Sequence, residues 1–372
     1  MNLPVLITSL VMSISLLVTS STSSQEVCFS GVNGTPDYIS EVAVGSFSPH
    51  SLGDEDRYDS GIAVAGTGAQ YSSTVNPGGQ SNLNDPYFQK QWALSRIQIS
   101  GLWQVTSGRP ETIVAIIDTG IDSNHEEIRG KVVAEVNFTD SPTALDGNGH
   151  GTHIAGIVVS SSNNNLGVAG IAPETRLMNV KVADDNGICQ AGAVARGIIW
   201  AVDKGARVIN ISLELSQPSL ELEKAVDYAW ASGVVVVAAA GNYGGGQLAY
   251  PACYENCIAV AATRQDDTLA PLSNHGDWVD VAAPGFDIYS TLPGNNYGYK
   301  SGTSFATAYV SGLAALLFDI TCDTKGNGRL NDDVRAAIEA GCRQACISGV
   351  DKGIIDAAGS MAQIGYSAPN LP

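Results

Sequence analysis

The stretch IVAIIDTGID, residues 113–122, decides the fold class of this 372-residue chain. Its first five residues are all apolar, which is typical of a parallel strand that helices cover on both faces. Other short runs rich in Val and Ile follow at 132–138, 177–182, 208–213, 234–240 and 258–262. Stretches with helical patterning alternate with these runs or follow them, at 150–159, 191–204, 220–232, 303–319 and 332–340. This order predicts an α/β fold of three layers, a doubly wound and mostly parallel sheet flanked by helices.

The composition limits the classes of partner. The chain has 37 acidic and 19 basic residues and a formal net charge of −18. Because a phosphate backbone carries the same sign, we expect no nucleic-acid partner. Hydrophobic residues make up 44% of the chain, which is enough for a large core and excludes global disorder. The length suits one large domain or two modest ones.

The N-terminus is typical of a secretory signal peptide. Residues 3–18 are predominantly apolar, and Ser and Thr make up 19–24. We therefore predict a signal peptide at 1–24 and a secreted, extracellular protein. No Lys or Arg precedes the apolar run, so a buried helix of the mature protein is the alternative. No internal stretch reaches the roughly 18 apolar residues of a membrane-spanning helix, and we expect no stable membrane anchor.

Residues 25–81 differ from the rest of the chain. Acidic residues outnumber basic ones in the first part, and Gly, Ser, Thr and Asn dominate from residue 66 onward. This composition predicts a connector of low complexity rather than part of the core.

Three polar residues stand where a strand ends or a helix begins. Asp118 ends the run 113–118, His150 follows the glycine-rich turn DGNG, and Ser304 follows Gly302 at a predicted helix start. Sites in open parallel sheets form at the carboxyl ends of strands. A hydroxyl is a weak nucleophile that needs a base, imidazole is such a base near neutral pH, and a buried carboxylate holds its tautomer. The pattern predicts Ser304 as nucleophile, His150 as base and Asp118 as the group that orients it.

A fourth residue adds an anion-stabilising donor. Asn242 follows the apolar run 234–240 and Gly241. An amide N–H at a strand end, together with the backbone N–H of Ser304, would stabilise negative charge that develops on a carbonyl oxygen. The four residues therefore indicate acyl transfer.

Four sequence blocks carry a family resemblance. IIDTGID, HGTHIAG, VVAAAGN and SGTSFA, in that order, resemble the signature blocks of the subtilisin-like serine proteases. The similarity runs over about 84–364. It implies a serine endopeptidase that hydrolyses peptide bonds through an acyl-enzyme, with Asp118, His150 and Ser304 as triad and Asn242 as oxyanion donor.

The resemblance also implies a domain organisation. The segment after residue 82 resembles the start of a mature subtilase, so 25–81 is interpreted as a propeptide and 82–372 as the peptidase domain. The protein would be made as a zymogen. Its expected partners are protein or peptide substrates, with its own propeptide as a further candidate, and we expect a monomer.

The resemblance places the substrate between two backbone edges. An extended peptide would lie between 187–190 and 212–214 and add a strand to each. The predicted substrate-binding residues are Gly187, Cys189, Ser212, Leu213, Glu214, Ala239, Ala240 and Gly241.

Several of these positions depart from the family pattern. Glu214 and Leu215 replace two common glycines, and Cys189 replaces a third. Phe305 and Ala308 replace the usual Met and Pro after the nucleophile. We hypothesise that Glu214 narrows or acidifies the primary specificity pocket and favours a basic or small residue before the cut.

The loop SSSNNNLGV, residues 160–168, resembles the high-affinity calcium loop of the family. The predicted Ca²⁺ ligands are oxygens of Asp85, Glu127, Ser162, Asn164, Leu166 and Val168. Oxygen donors suit this hard cation. A solvated polar turn is the alternative interpretation.

The chain has seven cysteines, which fit an oxidising compartment. Cys253 and Cys257 flank a short turn and are candidates for a disulfide bond, and Cys322 is a candidate to pair with Cys342 or Cys346. Free buried thiols are the alternative.

Each site residue also has other interpretations. The DTG at Asp118 is found in aspartic proteases, which need two such loops, and the only other candidate is 59–61. His150 and His153 could share a metal, and Ser304 could simply cap a helix. For the whole chain, the alternatives are a catalytically silent binding protein with this fold and a lipase or esterase.

Overall fold

The computed structural model describes residues 42–43, 83–345 and 347–366. The strands are, in chain order, β1 (Val42–Ala43), β2 (Ile113–Asp118), β3 (Val132–Asn137), β4 (Arg176–Lys181), β5 (Ile188–Cys189), β6 (Val208–Ile211), β7 (Val235–Ala239), β8 (Cys257–Thr263), β9 (Val281–Pro284), β10 (Ile288–Leu292) and β11 (Asn296–Lys300). The α-helices are α1 (Trp92–Arg96), α2 (Ile99–Trp103), α3 (His150–Val159), α4 (Ala191–Asp203), α5 (Leu220–Ala231), α6 (Thr303–Phe318), α7 (Asn331–Gly341) and α8 (Ala357–Gln363).

Seven of the described strands form one parallel sheet in the order β3-β4-β2-β6-β7-β8-β9. Strands β3 and β4 lie on one side of β2, and β6 to β9 follow in sequence on the other. A sheet that grows both ways from one strand has a crevice at the carboxyl end of that strand. Asp118 is the last residue of β2 and lies at this point.

Helices cover both faces of the sheet because alternate residues of each strand point to opposite faces. In β2, Val114 and Ile116 pack into the core that contains α3 and α6. Ala115 and Ile117 pack into a second core with α4 and α5. The three-layer, doubly wound fold predicted from the sequence is confirmed.

Two small antiparallel pairs lie outside the main sheet. Strands β10 and β11 form a hairpin that leads directly into α6. Strand β1 pairs with β5, with Val42 opposite Cys189 and Ala43 opposite Ile188. The short β5 therefore carries an added strand from the N-terminal part of the chain.

The predicted strands and helices are all present, with ends that differ by a few residues. The sequence reasoning missed the two-residue strands β1 and β5, the strands β9 to β11 and the short helices α1, α2 and α8, which lack a long apolar run. The predicted signal peptide lies outside the described residues, as does the predicted connector except for 42–43. Among the residues described, no helix is both long enough and apolar enough to cross a membrane.

Candidate active site

Asp118 and His150 form a buried pair at the crevice. Asp118 ends β2 and His150 begins α3, and both side chains are fully buried. His150 Nδ1 lies 2.7 Å from Asp118 Oδ1. Since a carboxylate only accepts, the proton of the neutral ring is on Nδ1, and Nε2 is left as the basic atom.

Ser304 lies next to this pair, at the second residue of α6. The ring of Phe305 is 5.4 Å from the ring of His150, centroid to centroid, so the imidazole faces the start of α6. Ser304 Oγ donates a hydrogen bond to the backbone oxygen of Ser212 at 3.2 Å. In the described part of the chain His150 Nε2 has no hydrogen-bond partner, so the predicted base and nucleophile are neighbours that are not hydrogen-bonded.

Asn242 is fixed by the N-terminus of α6. Its Oδ1 accepts hydrogen bonds from the Thr303 backbone N–H at 2.9 Å and from Thr303 Oγ1 at 3.2 Å. With Oδ1 held this way, Nδ2 is the atom of this amide that can donate to a carbonyl oxygen. The first N–H groups of α6 carry partial positive charge at the same place, as the oxyanion interpretation requires.

A series of buried hydrogen bonds between polar side chains holds the backbone of the predicted nucleophile. Ser212 Oγ donates to the backbone oxygen of Ser304 at 2.9 Å, and Asn210 Nδ2 donates to Ser212 Oγ at 2.9 Å. Ser311 Oγ donates to Asn210 Oδ1 at 3.0 Å. All of these side chains are buried. The chain of bonds ties β6 to α6 and fixes the position of the Ser304 backbone.

Asp146 is a functional residue that the sequence reasoning missed. One carboxylate oxygen accepts from the backbone N–H groups of Asn148 and Gly149, and the other accepts from the N–H and hydroxyl of Thr152. These bonds fix the turn into α3 and hence the position of His150. The available signal was an Asp four residues before the predicted base, inside a glycine-rich turn.

His153 is not a partner of His150 in a metal site. Its side chain is buried, its Nε2 lies 3.1 Å from the backbone oxygen of Gly298, and its ring packs 4.7 Å from that of Phe305. Burial holds the pKa of His153 well below its usual value, so the ring is neutral. The His153 side chain is therefore a packing group between α3, Phe305 and β11.

The two predicted substrate edges lie on β5 and on the segment after β6. The pairing of β1 with β5 demonstrates that the edge at 188–189 accepts an extended backbone. The Cys189 side chain is 3% exposed, and burial raises the pKa of its thiol far above the usual range. Cys189 is therefore a packing residue and not a nucleophile.

Glu214 crosses the space between the two walls of the predicted pocket. Its Oε2 accepts a hydrogen bond from the backbone N–H of Asn242 at 3.0 Å. A Cβ on Gly241 would lie 2.4 Å from the same oxygen, so the carboxylate lies against the backbone of the opposite wall. Burial raises the pKa of Glu214 to about 7, and the Asn242 hydrogen bond offsets part of that rise.

Four other residues near the predicted pocket are packing residues. Ala239 and Ala240 are buried, and Ala240 packs into a small core with Ala261. Phe305 and Ala308 are fully buried in the core beside α3. These substitutions therefore change packing rather than the groups that transfer protons.

Two of the predicted calcium ligands are carboxylates that the same Asn contacts. Asn164 Nδ2 donates to Glu127 Oε2 at 3.0 Å, and the Asn164 backbone N–H donates to Asp85 Oδ1 at 3.1 Å. Val168 donates its N–H to Glu127 Oε1 at 3.2 Å. Burial raises the pKa of Glu127 to about 7, with Asp85 contributing in the same direction.

This donor set suits a hard cation. The described residues include no cluster of three or more His, Cys, Asp or Glu, so a metal here would need amide, hydroxyl or carbonyl oxygens as well. Ser162 Oγ is buried and has no hydrogen-bond partner in the described part. The carboxylates of Asp85 and Glu127, which contact the loop 160–168 from outside, and the Asn164 amide and Ser162 hydroxyl on the loop fit Ca²⁺ better than a transition metal.

The predicted disulfide between Cys253 and Cys257 is not formed, and both are free thiols in the structure. Cys257 begins β8 and is buried in the core with α4 and α5, whereas Cys253 is half-buried on the preceding turn. Cys322 and Cys342 are also free; Cys322 is exposed, and Cys342 is half-buried at the end of α7. The alternative partner, Cys346, lies outside the described residues.

Comparisons with known proteins identify the family to which this chain belongs. Residues 109–338 match the model of the subtilase family of peptidases. A thermophilic serine proteinase of Bacillus sp. (strain AK1) is 47% identical over 258 residues, which is 69% of this chain and 63% of that relative. Thermitase of Thermoactinomyces vulgaris is 47% identical over 258 residues, 69% of this chain and 90% of thermitase. Subtilisin Savinase of Lederbergia lenta is 42% identical over 226 residues, 61% of this chain and 83% of that enzyme. The chain belongs to the subtilase family, the subtilisin-like serine proteases.

Proposed function

We propose that this chain is a secreted serine endopeptidase that hydrolyses peptide bonds through an acyl-enzyme. The observation that carries the proposal is the buried contact of 2.7 Å between Asp118 and His150 beside the start of α6, where Ser304 lies. Serine chemistry needs a nucleophile, a base and an orienting acid within reach of one another. Family membership supports the same assignment.

The first half of the reaction forms an ester bond. Ser304 Oγ attacks the scissile carbonyl carbon while His150 Nε2 accepts the hydroxyl proton, and Asp118 stabilises the resulting imidazolium. The carbonyl oxygen becomes an oxyanion that Asn242 Nδ2 and the Ser304 backbone N–H stabilise. The C–N bond then breaks, and His150 returns the proton to the leaving amine.

The second half reverses the roles. A water molecule attacks the ester carbon while His150 takes a proton from that water. The ester C–O bond then breaks, and His150 returns the proton to Ser304 Oγ. For either half, Ser304 Oγ must turn from the Ser212 backbone oxygen towards Nε2. A rotation about one side-chain bond makes that change, and such contacts tighten when substrate binds.

Substrate main chain would add a strand to β5. The backbone pairing of β1 on β5 supports this proposal, because an extended segment already lies on that edge. The same contact supports the chain's own residues 25–81 as a propeptide that precedes the peptidase domain at 82–372. Proteins or peptides are then the substrates.

Calcium is proposed as a structural ion at the loop 160–168. Asp85, Glu127 and Asn164, with Ser162, Leu166 and Val168, would hold it. A divalent cation there would neutralise two neighbouring carboxylates and fix the N-terminal segment to this loop.

A fluorophosphonate probe tests the proposed nucleophile. We expect the wild-type protein to be labelled at Ser304 and to cleave unfolded protein, and Ser304→Ala to lose both, with a drop in kcat of about 10⁶-fold, as for triads that act as a unit. Asn242→Ala should keep the labelling site but lose about 100- to 1000-fold in kcat, the loss known for such a donor in subtilisin.

Ser95→Ala is the control, because Ser95 is an exposed serine of α1. It should be labelled and active like the wild type. Unimpaired peptide cleavage by Ser304→Ala would overturn the assignment, as would cleavage of esters with no cleavage of peptides.

A further inference from the structure

The primary specificity pocket lies between two segments that meet at Ser304. Ser212 and Ser304 exchange two hydrogen bonds, so the segment 212–214 runs beside the nucleophile. Asn242 contacts Thr303 from the other side. A substrate carbonyl within reach of Ser304 Oγ therefore places the preceding side chain between 212–214 and 240–242.

Glu214 occupies this space with its carboxylate. The side chain starts on one wall, and its Oε2 reaches the backbone N–H of Asn242 on the other wall, at 3.0 Å. Only 9% of Glu214 is exposed. A large apolar side chain that enters the pocket must displace this carboxylate or desolvate it further.

No cation balances this carboxylate among the described residues. Its hydrogen-bond partner is a neutral backbone N–H, and no ion pair reaches it. The other side chain close to the position of a Gly241 Cβ is the neutral Asn274, whose Nδ2 donates to the backbone oxygen of Gln247 at 3.2 Å. Within the described residues the Glu214 carboxylate thus has a backbone N–H as hydrogen-bond partner but no charged partner.

We infer that Glu214 is the specificity-determining residue of this protease and that it directs cleavage after Lys or Arg. The inference rests on the proposed endopeptidase function. An ammonium or guanidinium group from the substrate forms a charge-assisted hydrogen bond with a buried carboxylate, which is stronger than a bond between neutral groups. A small residue fits beside Glu214 but leaves that bond unmade. The formal charge of −18 favours the approach of basic substrates as well.

Peptides that differ only in the residue before the cut test this inference. We expect kcat/KM for Lys and Arg to exceed kcat/KM for Ala, Leu and Phe by at least about tenfold, the gain of one charge-assisted bond. Glu214→Gln keeps the shape and removes the charge, and it should lower the ratio of Lys to Ala cleavage by about 10- to 100-fold. Glu214→Gly should raise cleavage after Leu and Phe relative to Ala.

Glu221→Gln is the matched control, because it removes the same charge from an exposed site on α5. It should leave the Lys to Ala ratio at the wild-type value. Active enzyme is counted with the fluorophosphonate probe, so a protein that is not labelled refutes the endopeptidase function and not the specificity alone. A labelled protein that cuts after Leu or Phe as well as after Lys, or an unchanged ratio in Glu214→Gln, refutes the role of Glu214.

Discussion

Glu214 and His150 are both buried ionisable residues, but their surroundings differ. His150 has a carboxylate partner in Asp118 at 2.7 Å, whereas Glu214 has only the backbone N–H of Asn242. A buried group without a charged partner shifts its pKa in the direction that disfavours charge. Burial accordingly raises the pKa of Glu214 to about 7.

The selectivity for basic residues should therefore depend on pH. A raised carboxyl pKa means that Glu214 is largely neutral below about pH 6 and largely ionised above about pH 8. The ratio of kcat/KM for Lys to kcat/KM for Ala should rise with pH through a midpoint near 7, because kcat/KM reports ionisation of the free enzyme. The ratio cancels every ionisation that affects cleavage of both substrates equally.

The same ratio in Glu214→Gln should not change over this pH range, since Gln does not ionise. A rise in the Lys to Ala ratio that persists in Glu214→Gln would assign the titration to another group. The change of the ratio with pH would then come from a group other than Glu214, such as a charged side chain of the bound peptide.

At this scale the sequence was informative where chemistry restricts the residue type. Asp118, His150, Ser304 and Asn242 were predicted from their types at the ends of strands and starts of helices, and the structure places all four in one crevice. Asp146 was not predicted, because its role depends on hydrogen bonds to the turn at Asn148 and Gly149 and to Thr152 in α3, and the sequence does not reveal that geometry.

At the scale of elements, α6 must approach its neighbours closely to present Ser304. The helix is buried along its whole length, and Gly312 faces Ile171. A Cβ added at Gly312 would lie 1.6 Å from Ile171 Cγ2. This distance is far inside van der Waals contact, so the glycine is needed for helix packing rather than for a turn.

Gly312→Ala should therefore destabilise the protein. Overpacking of this kind costs about 1–3 kcal/mol, which lowers Tm by roughly 2–12 °C at about 2–4 °C per kcal/mol. Thermal unfolding of proteins with and without Gly312→Ala measures the change in Tm. Both proteins also carry Ser304→Ala, which prevents self-digestion.

Gly192→Ala is the matched control, because Gly192 is also helical and its added Cβ would lie 3.4 Å from the exposed Glu221 side chain. It should leave Tm unchanged or raise it, since Ala favours a helix over Gly by up to about 1 kcal/mol. Equal Tm values for the two variants would contradict the packing argument.

The sequence predicted elements with a strong apolar pattern and missed those without one. Strand β7 reads as an apolar run, and it was predicted nearly to its ends. Strand β11, NYGYK, is partly exposed and has neither an apolar run nor clear alternation. Its position depends on pairing with β10, which a local pattern cannot reveal.

At the scale of the whole molecule, the loop 160–168 joins the start of the described domain to its core. Asp85 accepts hydrogen bonds from the backbone N–H groups of Asn163 and Asn164, and Tyr87 donates its N–H to Gly167 at 2.8 Å. Glu127 holds the other side of the same loop through Asn164. Ionising two neighbouring carboxyls here costs free energy unless a cation balances them.

Calcium should therefore stabilise the protein more at high pH than at low pH. Burial raises the pKa of Glu127 to about 7, so protons compete with Ca²⁺ below that pH, and rising pH destabilises the calcium-free protein as the buried carboxyl ionises. At about pH 8, excess calcium at 100 times Kd adds about 2.7 kcal/mol, or roughly 5–11 °C in Tm. The rise should be smaller near pH 6.

Thermal unfolding with calcium or chelator, again in the Ser304→Ala background, measures this rise without any reading of activity. Glu127→Gln should remove most of it, because one carboxylate ligand is lost. Glu135→Gln, which removes an exposed carboxylate from β3, should retain it. If calcium raised Tm equally in Glu127→Gln and in Glu135→Gln, the stabilising ion would lie elsewhere, and the loop 160–168 would be held by its own hydrogen bonds alone.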